Sequence, residues 1–251
     1  MKVFLTGASS GIGEALARHY AARGAVLGLV ARRGEFLAGL KSTLSMPCET
    51  YACDVRDLAS LALAAGDFLE RHGLPDIVIA NAGISFGTLT EIAADAATFR
   101  EVLEINVMGL VNTFQPFVAP MRERGSGSLA GIASVAGVRG IPGATAYSAS
   151  KAAAINYLEG LRVELRGTGV QVTTICPGYI RTPMTAKNPY RMPFMLEPDD
   201  AARRIARAIE ARKGRTFIPW QMAIVGRLLG ALPEALYDRG AARAGRKPRK
   251  D

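Results

Sequence analysis

Short apolar runs alternate with longer amphipathic segments over most of the chain. The apolar runs are rich in β-branched residues, a composition typical of buried strands, and they cover residues 2–5, 25–30, 49–53, 76–80, 128–134, 170–176 and 215–218. Helical spacing of apolar residues fills the intervals between them, at residues 11–23, 33–44, 57–72, 95–124, 147–166 and 198–212. This alternation predicts βαβ units on a parallel sheet that helices cover on both faces.

The order of these elements predicts an α/β fold with a doubly wound, seven-stranded parallel sheet. A chain of 251 residues, 49% of them apolar, can bury one large core, and no repeat or linker divides it. We therefore expect a single domain over residues 1–219, with residues 220–238 as an apolar helical extension of it. Ligands of doubly wound sheets lie beyond the carboxyl ends of the strands, so the residues that follow each strand are the functional candidates.

The net charge of +9 is concentrated at the C-terminus. Residues 239–251 contain six basic residues and one acidic residue, so they account for +5 of the total and leave the body only mildly basic. We expect this tail to be disordered or weakly held, because it lacks large apolar residues, and to act as a solubilising segment, and we expect no nucleic-acid partner. The three cysteines fit neither a disulfide framework nor a C-x-x-C pair, and no metal site is expected.

A glycine-rich turn, "TGASSGIG", follows the first predicted strand and leads directly into a helix. Glycines let the backbone turn tightly, and the amides at the helix start favour a pyrophosphate. The candidate residues of this turn are Gly7, Ser9, Ser10, Gly11, Ile12 and Gly13.

The end of the second predicted strand indicates which nicotinamide dinucleotide is used. Ala31 stands where proteins that bind NAD usually carry an acid, and Arg32 and Arg33 follow it. A guanidinium stacks on the adenine and pairs with a 2′-phosphate, so we assign this role first to Arg32, with Arg33 as a second group, and predict that NADP(H) is preferred over NAD(H).

Polar residues also follow the third and fourth predicted strands. Asp54 and Val55 follow the third strand, and the segment "NAG" at 81–83, which is Asn81, Ala82 and Gly83, follows the fourth. An aspartate in this position can simply cap the next helix. Because both strand ends face the same edge of the sheet, we also expect them to flank the adenine side of the crevice.

The segment "AYSASK" at 146–151 places a tyrosine four residues before a lysine at a predicted helix start. At this spacing Tyr147 and Lys151 share one face of the helix. The usual tyrosine pKa of about 10 makes it a poor acid–base catalyst near neutrality, and a nearby ammonium favours the phenolate. On spacing alone, the pair fits one turn of a solvated helix equally well.

Taken together, these motifs resemble the short-chain dehydrogenase/reductase family, of the classical type. Over residues 1–219 they run in the family's order: T-G-x-x-x-G-I-G at 6–13, N-A-G at 81–83, Asn106, Ser134, Y-x-x-x-K at 147–151 and P-G at 177–178. Two departures occur. Ala80 replaces the first asparagine of many members, and Ser9 and Ser10 stand where some NADP-preferring members carry a basic residue.

The resemblance implies a Rossmann fold and assigns roles to individual positions. Ser134 would hydrogen-bond the substrate carbonyl, Tyr147 would be the proton donor and Lys151 would bind the nicotinamide ribose. Asn106 would sit at a helix distortion and hold a water in a proton relay. Further cofactor contacts would come from Asn81, Pro177, Gly178, Ile180 and Thr182.

These residues predict an NADP-dependent oxidoreductase that transfers a hydride between NADPH and a carbonyl or alcohol substrate. Two alternatives remain: a 3-oxoacyl thioester reductase, and a non-catalytic NADPH-binding sensor or structural partner. The methionine-rich segment 184–198 corresponds to the family's substrate lid and favours a hydrophobic substrate.

The expected partners are a small-molecule substrate and further copies of the chain. The family habit predicts a homodimer or homotetramer through the helices that carry Asn106 and Lys151. For the apolar segment from residue 220 onward we rank packing on the chain's own substrate lobe first, an oligomer interface second and contact of 220–251 with a membrane surface last. The start "MKVFLTGAS" lacks a secretion signal, so a cytoplasmic location is expected.

Overall fold

The computed structural model describes residues 1–243 and 245–250, and its centre is a parallel sheet of seven strands. The strands are β1 Lys2–Thr6, β2 Val26–Ala31, β3 Cys48–Ala52, β4 Ile77–Ala80, β5 Gly127–Ile132, β6 Val170–Pro177 and β7 Arg215–Ile218. Their order across the sheet is β3-β2-β1-β4-β5-β6-β7. The order reverses between β1 and β4, which creates the crevice expected of a doubly wound fold. The predicted fold class is confirmed.

Helices connect the strands and continue beyond the last one. They are α1 Gly11–Ala21, α2 Gly34–Ser42, α3 Leu58–His72, α4 Asp95–Leu103, α5 Gly109–Arg124, α6 Thr145–Glu164, α7 Pro183–Ala186, α8 Pro198–Glu210, α9 Gln221–Ala231 and α10 Glu234–Ala241. Each strand of the predicted set is present within about two residues of its predicted bounds.

The core lies on both faces of the sheet, because alternate residues of each strand point to opposite sides. In β1, Val3 and Leu5 pack with α1 and α8 on one face, whereas Phe4 belongs to the opposite cluster with α3, α5 and α6. The Phe4 ring centroid lies 5.6 Å from that of Phe68 and 4.9 Å from that of Phe117. The central strands are therefore buried on both sides, and only their ends are free to bind ligands.

The segment predicted as one helix over 95–124 is interrupted. A π-helical turn, Glu104–Met108, separates α4 from α5. Such a turn contains an extra residue and redirects side chains, and it places Asn106 in the interior.

The C-terminal region departs from its expectation. Residues 239–251 are expected to be disordered or weakly held, but α10 extends to Ala241, and residues 245–250, here called the C-terminal strap, lie on the body of the protein. The Arg249 guanidinium makes three hydrogen bonds of 2.8–3.1 Å with the buried carboxylate of Asp95, which explains the ordered path. Ala244 and Asp251, also part of the predicted tail, lie outside the described residues.

Helices α9 and α10 pack on the same domain. Arg139, in the loop after β5, donates hydrogen bonds to the carbonyls of Leu229 and Leu232, and its guanidinium lies 4.6 Å from the Tyr237 ring centroid. Within residues 1–243 and 245–250, no helix combines the length and the apolar character that crossing a membrane requires.

Candidate active site

A cleft of about 340 Å³ opens at the carboxyl ends of the central strands. Its walls bring together the predicted site residues from the whole chain, namely Gly7, Ser9, Ser10, Gly11, Ile12, Arg32, Arg33, Asp54, Val55, Asn81, Ala82, Gly83, Ser134, Tyr147, Lys151, Pro177, Gly178, Ile180 and Thr182. Two predicted residues, Gly13 and Asn106, do not line the cleft. Both lie behind its wall.

The glycine-rich turn forms the floor of one end of the cleft. Gly7 has a φ of +70°, and a Cβ there would lie 2.7 Å from the Ala82 Cα atom, so only glycine fits. The Asn81 Nδ2 group donates to the carbonyls of Thr6 and Gly7, at 3.1 Å each. Asn81 therefore fixes the turn against the end of β4.

Helix α1 begins at this turn with its first amides unsatisfied by a side chain. Ser10 occupies the N-cap position but makes no side-chain capping bond. Free N–H groups and the helix dipole make such a terminus an anion site. Gly13 lets the first turn of α1 pack closely against the glycine-rich turn, since a Cβ there would lie 2.1 Å from the Gly7 carbonyl oxygen.

Arg33 lies against the glycine-rich turn. Its Nη2 atom donates to Ser9 Oγ at 3.0 Å and to Ser10 Oγ at 3.3 Å, and its guanidinium lies 4.2 Å from the Phe36 ring centroid. Arg32 is also exposed, and its Nη1 atom lies 4.0 Å from Asp54 Oδ2. Two guanidinium groups and two hydroxyls therefore converge on one corner of the cleft.

The end of β3 supplies the neighbouring wall. The Asp54 carboxylate accepts hydrogen bonds from the Arg56 guanidinium, which holds the pKa of that carboxyl below its usual value. Val55 is buried, and its carbonyl accepts a hydrogen bond of 2.9 Å from Asn112. Cys53, which the sequence did not single out, also lines this wall.

Ser134 follows β5 and starts a short 3₁₀ helix. Its Oγ atom accepts a hydrogen bond of 3.1 Å from the Ala136 amide, which fixes the hydroxyl at the N-cap position. Tyr147 and Lys151 stand in the first two turns of α6, beside that strand end. The fold thus brings the serine, the tyrosine and the lysine to one side of the cleft.

Burial governs the acid–base properties of this group. It raises the pKa of Tyr147, and the Ser134 hydroxyl opposes the rise. Burial also lowers the pKa of Lys151 to about 8. The Lys151 Nζ atom donates to the Ile132 carbonyl at 2.8 Å and lies 5.8 Å from the Tyr147 ring centroid. Its ammonium is therefore held inside the site.

Asn106 lies beneath these residues and is fully buried. Its Oδ1 atom accepts from the Ile84 amide at 2.8 Å, and its Nδ2 atom donates to the Ile84 carbonyl and to Ser150 Oγ, at 2.9 Å each. The amide thus joins the loop after β4 to helix α6. A Cβ on Gly83 would lie 3.1 Å from Asn106 Oδ1 and 3.6 Å from Lys151 Nζ, so this loop also abuts the lysine.

The segment after β6 carries the substrate side of the cleft. Leu196 returns to the start of the segment, where its amide donates to the Tyr179 carbonyl at 3.0 Å and its carbonyl accepts from the Arg181 amide at 2.9 Å. Met184, from the predicted lid, lines the cleft. The segment predicted as the lid therefore begins within helix α7 and is tied back at Leu196 to the residues that follow β6.

Sequence reasoning missed several apolar wall residues and one basic residue. The apolar ones are Ala31, Ile84, Ile105, Ile132 and Ala133. Lys247, from the C-terminal strap, has its Nζ atom 5.3 Å from the Tyr147 ring centroid. The apolar residues adjoin recognised motifs and could have been found from them, whereas no sequence signal connects Lys247 to the site.

Comparison with known proteins places the chain in a family. Residues 1–192 match the family model described as short chain dehydrogenase. An uncharacterized oxidoreductase from Myxococcus xanthus is 38% identical over 243 residues, which cover 95% of each chain. Levodione reductase superposes with a TM-score of 0.79 at 28% identity, over 88% of this chain and 97% of that one.

A 3-ketoacyl-ACP reductase from Sinorhizobium meliloti superposes with a TM-score of 0.78 at 26% identity, over 90% of this chain and 100% of that one. The family match, the similarity over nearly full length and the shared architecture agree with the arrangement of the cleft. The chain belongs to the short-chain dehydrogenase family of oxidoreductases.

Proposed function

We propose that the protein is an NADP(H)-dependent carbonyl reductase or alcohol dehydrogenase that acts on a largely apolar substrate. The observation that carries this proposal is the gathering of Ser134, Tyr147 and Lys151 in the cleft that the glycine-rich turn also lines. A proton donor, an oxyanion donor and an ammonium are the groups that reduction of a carbonyl requires.

The cleft fits a dinucleotide phosphate. The uncapped start of α1 offers amides to a pyrophosphate, and Gly7 leaves room for the backbone to approach it. Arg33, held by Ser9 and Ser10, would receive the 2′-phosphate, with Arg32 beside it. This corner supports a preference for NADP(H) over NAD(H). Asp54 and Val55 would flank the adenine, while Ile180 and Thr182 would meet the nicotinamide.

The chain's own residues would handle the proton. When bound, the reduced nicotinamide supplies the hydride that reaches the carbonyl carbon. Tyr147 donates its phenolic proton to the carbonyl oxygen, and Ser134 donates a hydrogen bond to that oxygen as negative charge develops there. The Lys151 ammonium favours the phenolate that remains and holds the ribose hydroxyls.

Asn106 acts in this proposal as a positioning residue for the relay that reprotonates the site. Both of its amide hydrogens are used by the Ile84 carbonyl and Ser150. A relay water would therefore bind to another group of the π-helical turn, such as a backbone carbonyl that leaves the regular helical ladder.

Assembly and location are part of the proposal. Met108, beside Asn106, and Val163, on α6, are 52% and 61% exposed on the two helices expected to form a homodimer or homotetramer. Exposed apolar residues on such helices favour burial against another copy. We place the enzyme in the cytoplasm.

The two alternative functions require different groups in the cleft. A 3-oxoacyl thioester reductase uses the same three catalytic groups and differs only in its substrate, and one structural relative is named a 3-ketoacyl-ACP reductase. A non-catalytic NADPH sensor needs the cofactor corner but not a proton donor. Tyr147 beside Ser134 therefore favours an enzyme.

A single assay series separates these functions. The wild-type protein is tested for NADPH oxidation with ketones, aldehydes, quinones and 3-oxoacyl thioesters. We expect Tyr147→Phe to lower kcat by about 100-fold or more, because the proton donor is lost, with NADPH affinity retained. NADPH affinity is measured by cofactor fluorescence. Retention of full activity by Tyr147→Phe contradicts the mechanism, and binding without turnover of any carbonyl favours the sensor.

A further inference from the structure

The C-terminal strap crosses the substrate side of the active site. The Gly87 amide, after β4, donates to the Pro248 carbonyl at 2.7 Å, and a Cβ on Gly143 would lie 3.0 Å from Arg246 Cγ. Gly143 lies two residues before the start of α6, the helix of the catalytic tyrosine. The strap is therefore held between the loop after β4 and the start of α6.

Two of the four basic side chains of the strap account for its attachment. Arg249 pairs with Asp95 at the start of α4, and Lys250 pairs with Glu101 on the same helix. Arg246 and Lys247 remain. Within the described ranges 1–243 and 245–250, neither of them has a carboxylate oxygen within 4.0 Å.

Lys247 differs from Arg246 in where its charge lies. Arg246 is exposed, whereas Lys247 is half-buried with its Nζ atom 5.3 Å from the Tyr147 ring centroid. Burial without a compensating carboxylate lowers the pKa of Lys247 to about 8. An ammonium withdrawn from water in this way gains from any anion that reaches it.

Three tyrosines lie along the strap: Tyr147 is beside Lys247, Tyr190 is against Gly245, and Tyr179 is beside Tyr190. The Tyr179 and Tyr190 ring centroids are 6.4 Å apart, and a Cβ on Gly245 of the strap would lie 2.7 Å from Tyr190 Cβ. The opening of the cleft at the strap thus combines aromatic surface with the Lys247 ammonium, which lies beside Tyr147 in addition to the ammonium of Lys151.

We propose that Lys247 is a specificity-determining residue that binds an anionic group of the substrate beside the reacting carbonyl. This inference rests on the proposed function for the position of the carbonyl at Tyr147. The short distance to the tyrosine ring restricts the anion to within a few bonds of the carbonyl, as in a 2-oxo or 3-oxo acid. The apolar lid then accommodates the rest of the molecule, so the substrate class is an oxo acid with an aliphatic or aromatic body.

The experiment compares oxo acids with their neutral esters. The probes are 2-oxooctanoate and 3-oxooctanoate and the methyl ester of each, tested on the full-length protein with two readouts. Calorimetry measures their binding to the NADP⁺-saturated protein, and NADPH oxidation measures kcat/KM. The variants are Lys247→Met, which keeps the length without the charge, Lys247→Arg, which keeps the charge, and Arg243→Met, which removes an exposed charge from the same region.

We expect the wild type to prefer an acid over its ester, and Lys247→Met to weaken binding and kcat/KM for that acid by about 10- to 100-fold, the usual effect of losing a charge-assisted hydrogen bond. The values for the ester should change by less than about 3-fold, Lys247→Arg should restore most of the preference, and Arg243→Met should leave it unchanged.

Each other outcome has one meaning. Equal loss for acid and ester in Lys247→Met, or a wild type without any preference for the acid, overturns the inference, whether or not neutral ketones are reduced. Binding of the acid that depends on Lys247, without reduction of any carbonyl, supports the anion site and instead contradicts the proposed function.

Discussion

The Lys151 ammonium group is held inside the cleft by the carbonyl of Ile132, and no carboxylate of the described residues 1–243 and 245–250 pairs with it. Burial without an acidic partner is what lowers its pKa to about 8. A lowered pKa means that the charged form is lost as the pH rises through about 8, whereas an exposed lysine stays charged to about 10.4. The two roles proposed for Lys151, favouring the phenolate and holding the ribose, should therefore be pH-dependent.

This dependence gives a prediction for the pH profile. The kcat/KM for carbonyl reduction, which reports the free enzyme, should decrease above pH 8 in the wild type as Lys151 loses its proton. In Lys151→Arg the charge persists, so the decrease should move to higher pH even if the maximum is lower. Stopped-flow rates from pH 6 to pH 10 test this. The same descending limb in both proteins would show that Lys151 is not the group that titrates.

The contacts of Arg33 hold its guanidinium in a fixed position at the proposed phosphate site. Two serine hydroxyls and the Phe36 ring fix its guanidinium before any ligand arrives. A preorganised guanidinium loses little side-chain entropy on binding a phosphate. Arg33 rather than Arg32 is thus the better-placed of the two arginines that the sequence singled out.

Removing this guanidinium should affect one cofactor only. We expect Arg33→Ala to raise the KM for NADPH by about 10- to 100-fold, because charge-assisted bonds to the 2′-phosphate are lost, and to leave the KM for NADH nearly unchanged. Arg122→Ala, an exposed change on α5, is the matched control. Steady-state kinetics with both cofactors provide the measurement. Equal effects on the KM for NADPH and for NADH would show that Arg33 does not bind the 2′-phosphate.

At the scale of elements, the contact between α1 and the glycine-rich turn sets the shape of the cofactor end. Gly13 was expected to line the pyrophosphate site, but it faces the Gly7 carbonyl and Asn81 instead. Its lack of a side chain lets the first turn of α1 approach the end of β1. The residue therefore serves the cleft by allowing two elements to pack closely.

A pair of glycine substitutions tests this packing. We expect Gly13→Ala to lower the free energy of unfolding by about 1–3 kcal/mol, because the new methyl group overlaps a backbone carbonyl. Gly66→Ala, on the exposed face of α3 with no atom near the new methyl, should raise it by about 0.5–1 kcal/mol through helix propensity. Urea denaturation measures both. Unfolding free energies that shift alike would contradict the packing role of Gly13.

The elements also explain what the sequence could and could not predict. The strands and the residues after them follow from local patterns, because a parallel sheet collects its strand ends at one edge. The family resemblance implied a helix distortion at Asn106, and the π-helical turn Glu104–Met108 confirms it. Local spacing did not indicate this turn, since its residues continue the helical spacing on either side. What stabilises it is the set of bonds from Asn106 to Ile84 and Ser150, which are formed only in the folded chain.

At the scale of the whole molecule, the path of the C-terminal strap depends on contacts between residues far apart in sequence. Arg249 and Asp95 are separated by 154 positions. A run of basic residues with few apolar neighbours has the composition of a disordered tail. The buried carboxylate at the start of α4, together with Glu101 and the backbone bond from Gly87, makes this run take a fixed course, and nothing in the local sequence around Asp95 indicates that pairing.

The attachment can be tested by proteolysis. We expect Arg249→Met to release the strap, so that trypsin cleaves after Arg246 several-fold faster than in the wild type, because the bonds to Asp95 that hold the segment are lost. Arg239→Met, an exposed change on α10, should leave that cleavage rate unaltered. Mass spectrometry of timed digests gives the rates. Equal cleavage in all three proteins would mean that Arg249 does not anchor the strap.

Helix α9 leaves an apolar row on the surface, with Trp220 just before it 64% exposed and Ile224 and Leu228 49% and 60% exposed. Trp220 is the chain's one tryptophan. The tryptophan fluorescence of the protein therefore comes from a single indole at the edge of this row, and its emission should be that of a solvated ring. Any surface that covers the row will shift this emission to the blue. If the covering surface is another copy of the chain, the blue shift will increase with protein concentration. Emission spectra of a dilution series therefore measure self-association through α9 without an added label.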